Sequence, residues 1–346
     1  MTLGKITFPG RPKIKQHIFN ISLRYLVCIL NSKTYNDLRK RFTEVIIMSV
    51  PTTNVPAKKK VNIADVMIAI LPLFLMFTLN TICTLPGFAV GFYEMSKSGN
   101  TETITNIAEV TNGPMAQTAI SIGLITYSVL AIVICYIWYK KAFLKKQIKI
   151  ENKEVFNVKT VVLTILGTIG VWSIINLALI LVNYLAPDLM ESFNNLMKVS
   201  GIGTNPITTF FYVSLLGPIA EELLFRGLTQ GYLRKAGLPV AAVLIGQAIM
   251  FGIAHMNPVQ STYAAFIGVF IGLIRYKYGN IRICCLAHIV NNTISSYGSL
   301  LAERIGMSDT VTYVFFGIMS VVAVVVIILL IKEPSKDKEI DLKVAA

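Results

Sequence analysis

The chain has 346 residues, of which 54% are hydrophobic and 14% are charged, and its mean hydropathy is +0.64. Soluble domains carry about 25% charged residues, so this composition excludes an ordinary soluble domain and predicts an integral membrane protein. The net charge of +14 does not indicate nucleic-acid binding, because the lysines and arginines cluster beside apolar segments, where the positive-inside rule places them.

Eight apolar segments are candidate membrane spans, since a spanning helix needs about 20 mostly apolar residues. In chain order they are Val66–Phe92, Met115–Tyr139, Thr160–Tyr184, Ile207–Leu233, Leu238–His255, Thr262–Tyr276, Ile283–Leu301 and Thr310–Ile331. Pro72 and Pro86 are expected to kink or break the first segment. The fifth and sixth segments are short, and Ser308 is expected to cap the last helix. We therefore predict an all-α polytopic membrane bundle.

The distribution of basic residues predicts the orientation of this bundle. Lysine and arginine are frequent before the first span, in the loop 140–159, in the turns 234–235 and 275–282, and in the C-terminal tail. The intervening loops contain few of them. This alternation predicts eight spans with both termini in the cytoplasm, in a multi-pass protein of the cell membrane.

Three regions follow from this pattern. Residues 1–60 form a basic cytoplasmic N-terminal region, residues 61–331 form the membrane bundle, and residues 332–346 form a charged cytoplasmic tail. The sequence from Met48 reads like a natural N-terminus before a first span, so residues 1–47 are either a peripheral basic helix or an over-extended start. The five cysteines lie in apolar or membrane-edge segments and are not expected to form a disulfide framework.

Two adjacent carboxylates, Glu221 and Glu222, lie in the nearly uncharged fourth segment. A carboxylate at membrane depth costs several kcal/mol, so such groups tend to be paired, protonated or functional. Glu222 and Arg226 are spaced i,i+4 and are expected to form a buried ion pair. Glu221 lies about 100° further around the helix. It is expected to face a cavity as a general base or, alternatively, to be a protonated, hydrogen-bonded carboxyl.

Two of the three histidines, His255 and His288, lie in other apolar segments. His288 and Asn292 are spaced i,i+4 and can direct hydrogen-bond donors to one point, which suits a developing oxyanion. The alternative is an interhelical hydrogen bond. If His255 belongs to the same site, the turn at Asn257-Pro258 must lie inside the bundle at membrane depth, where irregular backbone is tolerated only if protein covers it or it lines a wet cavity.

Three short motifs occur in order: Glu221-Glu222-x-x-x-Arg226, Phe251-x-x-x-His255 and His288-x-x-x-Asn292. Together they resemble the CPBP family, the CAAX-protease and bacteriocin-processing intramembrane endopeptidases, also called the Abi family. The resemblance covers roughly residues 217–292. The sequence has no Gly-x-Ser-x-Gly, His-Glu-x-x-His or Walker-type motif, which would favour a serine hydrolase, a zincin or a nucleotide-binding protein.

The resemblance assigns a role to each motif residue. Glu221 and His255 would activate a water molecule. His288 and Asn292 would stabilise the oxyanion. Glu222 and Arg226 would be supporting residues. Asparagine is a poor zinc ligand, so we expect no cofactor. If zinc is present, its expected ligands are Glu221, His255 and His288.

The resemblance implies an intramembrane endopeptidase that acts in the lipid bilayer on a peptide or lipidated-protein substrate, of a prenylated CAAX type or a leader or bacteriocin type. One alternative is a non-enzymatic membrane scaffold or immunity protein that regulates a membrane signalling partner, such as a sensor kinase. A second alternative is a transporter that uses the carboxylates as a proton relay. The absence of paired halves in the sequence argues against many transporter folds.

Overall fold

The computed structural model describes residues 60–97, 110–111, 113–144, 152–199 and 208–336. Within these ranges the protein is all-helical and contains no strand, as predicted. The predicted N-terminal region up to residue 59, including Met48, lies outside the described residues. The same holds for most of the polar loop after the first helix and for the tail from residue 337.

Ten helices are numbered here in chain order. They are α1 (Ile63–Lys97), α2 (Pro114–Tyr139), α3 (Asn152–Val155), α4 (Val158–Leu185), α5 (Pro187–Val199), α6 (Thr209–Lys235), α7 (Val240–Ile253), α8 (Pro258–Tyr278), α9 (Ile281–Arg304) and α10 (Asp309–Lys332). A π-helical segment, Lys140–Leu144, extends α2. Helix α6 alternates between π-helix at Thr209–Leu216, α-helix at Gly217–Glu222, π-helix at Leu223–Thr229 and α-helix at Gln230–Lys235.

Five of the described helices are long and apolar enough to cross a membrane: α1, α2 with its extension, α4, α8 and α10. The protein is therefore a multi-pass membrane protein. Helix α7 has 14 residues and is about 21 Å long at 1.5 Å per residue, which is less than the roughly 30 Å hydrocarbon core. Helix α9 has 24 residues but carries several polar side chains. Crossing by α6, α7 and α9 remains a prediction.

The helix ends follow local signals, and most helices extend a few residues beyond the predicted bounds. Helix α8 begins at Pro258 rather than at residue 262, because the Asn257 side chain accepts a hydrogen bond from the Gln260 backbone N–H and proline suits the first helical position. The sixth segment is therefore not short, since α8 has 21 residues. Pro72 does not break α1, which continues as one helix. The predicted Ser308 cap on α10 is confirmed.

Helix α6 lies at the centre of the bundle, against α1, α2, α7 and α9. Its residues Leu224, Phe225 and Leu228 are fully buried, as expected for a helix that is apolar on all sides. The Thr229 hydroxyl donates to the carbonyl of Ala69, which connects α6 to α1 at 3.0 Å. The described cysteines form no disulfide, in agreement with the prediction. The predicted motif residues thus stand on the most enclosed helix and on its neighbours.

Candidate active site

The Glu222 carboxylate and the Arg226 guanidinium form the buried ion pair that their spacing predicts. Glu222 Oε1 lies 2.8 Å from Arg226 Nη1, and neither side chain is exposed. Arg226 Nη2 also donates to the backbone carbonyl of Gly268 in α8, at 3.3 Å. The guanidinium lies over the ring of Phe251 in α7, with 4.5 Å between the Cζ atom and the ring centroid. Charge pairing, a hydrogen bond and a cation–π contact together offset the cost of burying arginine.

His288 in α9 bridges the two carboxylates. Its Nδ1 atom lies 2.7 Å from Glu222 Oε1, and its Nε2 atom lies 3.6 Å from Glu221 Oε2. A carboxylate that is paired with arginine accepts hydrogen bonds, so Nδ1 carries the proton that is donated to Glu222. The separation between Nε2 and Glu221 is too long for a direct hydrogen bond. Glu222 thus fixes the orientation of the imidazole and directs Nε2 towards Glu221.

Glu221 differs from Glu222 in its access to solvent. Its side chain is 20% exposed, whereas that of Glu222 is fully buried. Among the described residues the Glu221 carboxylate forms no ion pair with an arginine, and Arg226 is engaged by Glu222. Of the two adjacent carboxylates, Glu221 is therefore the one that water or a substrate can reach.

His255 lies in the turn that follows α7. Its Nδ1 atom is 2.9 Å from the backbone carbonyl oxygen of Phe251, which can only accept a hydrogen bond. The proton therefore resides on Nδ1, and Nε2 presents a lone pair. The next residue, Met256, has a φ of 53° and ends the helix in the left-handed conformation, which costs a non-glycine residue about 1–2 kcal/mol.

The ring of Phe251 connects the three motifs. The imidazole rings of His255 and His288 each lie edge-on to it, with centroids at 5.0 and 5.5 Å, so the two imidazoles are at most 10.5 Å apart. Arg226 of the first motif contacts the same ring. Both histidines therefore flank the same aromatic ring. Among the described residues, His255 forms no ion pair with Glu221 or Glu222.

Asn292 is oriented by two hydrogen bonds. Its Nδ2 atom donates to the backbone carbonyl of Val213 in α6 at 2.9 Å, and its Oδ1 atom accepts from Nδ2 of Asn291 at 3.0 Å. An amide group has two N–H donors, so one remains for a ligand. The Asn292 amide can thus form the predicted interhelical hydrogen bond and still offer the predicted oxyanion donor.

The sequence analysis did not predict that the Val213 carbonyl would be free of helix bonding and could accept a hydrogen bond from Asn292. In the first π-helical segment the Gly217 N–H donates to Tyr212 instead of Val213. The next N–H in line would be that of residue 218, which is a proline and has no backbone donor. The carbonyl of Val213 is therefore left for Asn292. The signal in the sequence was Pro218, a proline inside a helical segment just before the two glutamates.

The zinc ligands that the sequence predicts do not form a three-ligand group. These residues are Glu221, His255 and His288. Among the described residues, no three His, Cys, Asp or Glu side chains lie close enough together to hold a metal ion. Glu221 and His288 approach each other, but His255 does not complete a three-residue group with them among the described residues.

Comparisons with known proteins support the resemblance seen in the motifs. Neither the curated proteins nor the solved structures give a significant match. Residues 203–294 match the family model described as Type II CAAX prenyl endopeptidase Rce1-like, which covers α6 to the first half of α9 and contains every motif residue discussed above. This match confirms the resemblance of the chain to the CPBP family of intramembrane endopeptidases.

Proposed function

We propose that this protein is a CPBP-type intramembrane endopeptidase that hydrolyses a peptide bond by attack of an activated water molecule. Two contacts carry the proposal: Glu221 Oε2 lies 3.6 Å from Nε2 of His288, and the imidazoles of His288 and His255 both contact the ring of Phe251. The family match suggests a protease that acts on prenylated substrates. A leader-bearing or bacteriocin-type peptide is the other substrate class that we propose to test.

In the proposed mechanism, Glu221 and His255 act on the water. The accessible Glu221 carboxylate takes one proton, and the Nε2 lone pair of His255 accepts a hydrogen bond from the other. The water oxygen then forms a bond to the carbonyl carbon of the scissile peptide. When the tetrahedral intermediate collapses, the C–N bond breaks and Glu221 returns its proton to the leaving amine.

His288 and Asn292 are the proposed oxyanion donors. Asn292 has a second Nδ2–H besides the one that is donated to Val213, and it would be presented to the oxyanion. A protonated His288 would keep its bond to Glu222 and present Nε2–H to the same oxyanion. Donors that are fixed before the reaction stabilise the transition state without a cost of reorganisation. Glu222 and Arg226 support the site by holding His288.

The remaining parts of the proposal concern topology and partners. We propose eight spans with both termini in the cytoplasm, and a location in the cell membrane, because α6, α7 and α9 pack among the five helices that can cross a bilayer. We propose the domain limits 1–60, 61–331 and 332–346 on the same grounds.

A peptide or lipidated-protein substrate would enter from the bilayer. Nucleic acid is not an expected partner.

The experiment that tests the function is cleavage by purified, bilayer-reconstituted protein. We expect cleavage of a farnesylated CAAX peptide or of a leader-bearing peptide, and a loss of at least about 100-fold in Glu221→Gln, the usual contribution of a general base. Glu191→Gln, at an exposed glutamate of α5, is the matched control and should retain activity. Full activity in Glu221→Gln would exclude the mechanism. If the wild-type protein cleaves neither peptide but alters the output of a co-reconstituted signalling partner, the scaffold alternative would be favoured.

A further inference from the structure

Tyr127 in α2 has a buried hydroxyl group for which the described residues provide no hydrogen-bond partner. Its side chain is 2% exposed. Other buried tyrosines near the bundle core are paired: the Tyr139 hydroxyl accepts from Arg275 at 3.2 Å, and the Tyr232 hydroxyl accepts from the Trp138 indole at 2.9 Å. An unpaired buried hydroxyl destabilises a fold, so its presence calls for a functional explanation.

The position of Tyr127 indicates what that function is. Its ring packs in a small cluster with Ala131 and Ala220, and Tyr212 packs against the same cluster. Ala220 immediately precedes Glu221. Tyr127 therefore brings an uncommitted O–H donor from α2 to the neighbourhood of the one accessible carboxylate of the motifs.

We propose that Tyr127 is a further catalytic residue, whose hydroxyl donates a hydrogen bond to the water that Glu221 activates. The inference rests on the proposed peptidase function. A buried water needs two to four polar partners. Here one O–H of the water would give its proton to Glu221, and the other would donate a hydrogen bond to Nε2 of His255. One oxygen lone pair would accept a hydrogen bond from Tyr127, and the other would attack the scissile carbonyl. The phenol would also stabilise negative charge as the water becomes hydroxide.

In the proposed mechanism, the donors of His288 and Asn292 are assigned to the oxyanion and not to this water. Asn292 is oriented by Val213 and Asn291, and its remaining N–H is assigned to the oxyanion. Arg226 is engaged by Glu222 and by the carbonyl of Gly268. Tyr127 lies about 90 positions before the first motif and outside the segment that matches the family model. Inspection of the motifs alone would therefore not identify it.

The test is the variant Tyr127→Phe, which removes only the hydroxyl. We expect kcat to fall about 10- to 100-fold with KM unchanged within twofold, because the water and not the substrate loses a contact. The melting temperature should fall less than that of Tyr232→Phe, since no hydrogen bond to another protein group is lost. The matched control, Tyr232→Phe, should show the reverse pattern: a lower melting temperature, because the Trp138 N–H loses its acceptor, and a kcat within twofold of wild type.

Two results would overturn the inference. One is a kcat for Tyr127→Phe within twofold of wild type, and the other is a fall in its melting temperature as large as that of Tyr232→Phe, which would show that the hydroxyl has a structural partner. In the Glu221→Gln background, Tyr127→Phe should cause no further loss, because both groups act on one water. An active wild type that depends on Glu221 but not on Tyr127 would refute this inference alone. A wild type without cleavage would refute the proposed function and the Tyr127 role together.

Discussion

The Nδ1 atom of His288 and the Oε1 atom of Glu222 lie 2.7 Å apart in the bundle core, although 66 positions separate the two residues in the chain. The same oxygen accepts from Arg226. The second glutamate of the pair therefore does not compete with the first for the role of base. It is neutralised by the arginine and holds the histidine that faces Glu221.

Removal of Arg226 should destabilise the whole protein. Arg226→Ala leaves the fully buried Glu222 carboxylate without its counter-charge, which costs about 3–5 kcal/mol in a buried setting. We expect a lower melting temperature in detergent and a lower yield of folded protein. Arg282→Ala, at an exposed arginine of α9, is the control and should melt like the wild type. An Arg226→Ala protein that melts with the control would show that the pair is solvated.

Removal of Asn292 should act on catalysis more than on folding. Asn292→Ala removes one oxyanion donor, for which losses of about 100- to 1000-fold in kcat are typical. Asn291→Ala removes only the donor that orients the Asn292 amide, so we expect a smaller fall in kcat. Steady-state kinetics on the same peptide measure both. Equal activity in Asn292→Ala and wild type would place the oxyanion elsewhere.

Chelation should leave the activity intact. The side chains of Glu221, His255 and His288 do not form a three-ligand group, so the proposed mechanism relies on proton transfer by protein groups. We expect full activity after incubation with a strong chelator at a concentration that inactivates a zinc protease run in parallel. Loss of activity with the chelator and its return with added zinc would instead show a metal-dependent site.

The turn after α7 should be shielded from the aqueous phase. Helix α7 is about 21 Å long, too short to cross the hydrocarbon core, and this places Asn257 at membrane depth if α7 starts at the inner surface. In a cysteine-free background, we expect Asn257→Cys to react slowly with a membrane-impermeant thiol reagent. Asn100→Cys, in the loop predicted to lie outside, should react quickly. Rapid reaction at both positions would place the turn at the outer surface.

Local features of the site could be predicted from the sequence. The ion pair between Glu222 and Arg226 follows from helical periodicity, and the cap at Ser308 follows from side-chain chemistry. Each depends on residues within one turn of each other. The class of fold followed equally directly from composition, because apolar runs of this length have few alternatives to spanning helices.

Contacts between distant segments could not be predicted. No periodicity links Phe251 to His288, and only the fold shows that the ring of Phe251 contacts His288 as well as His255. The bond from Asn292 to the carbonyl of Val213 depends on a π-helical turn, for which Pro218 was an indirect signal in the sequence. The buried hydroxyl of Tyr127 was one of many tyrosines in apolar segments until the fold placed it near Glu221.

The two π-helical segments of α6 make the exact number of residues in this helix part of the site. A π turn closes five residues later rather than four, so each holds one residue more than α-helical bonding needs. Deletion of Phe210 or Phe211, on the N-terminal side of Tyr212, would allow the helix to wind as a regular α-helix. Tyr212 would then rotate by about 100° relative to Glu221, and the Val213 carbonyl would accept the Gly217 N–H in ordinary helix bonding. The loss of one amino acid outside the motifs would thus alter the surroundings of the carboxylate and the bond that orients the asparagine together.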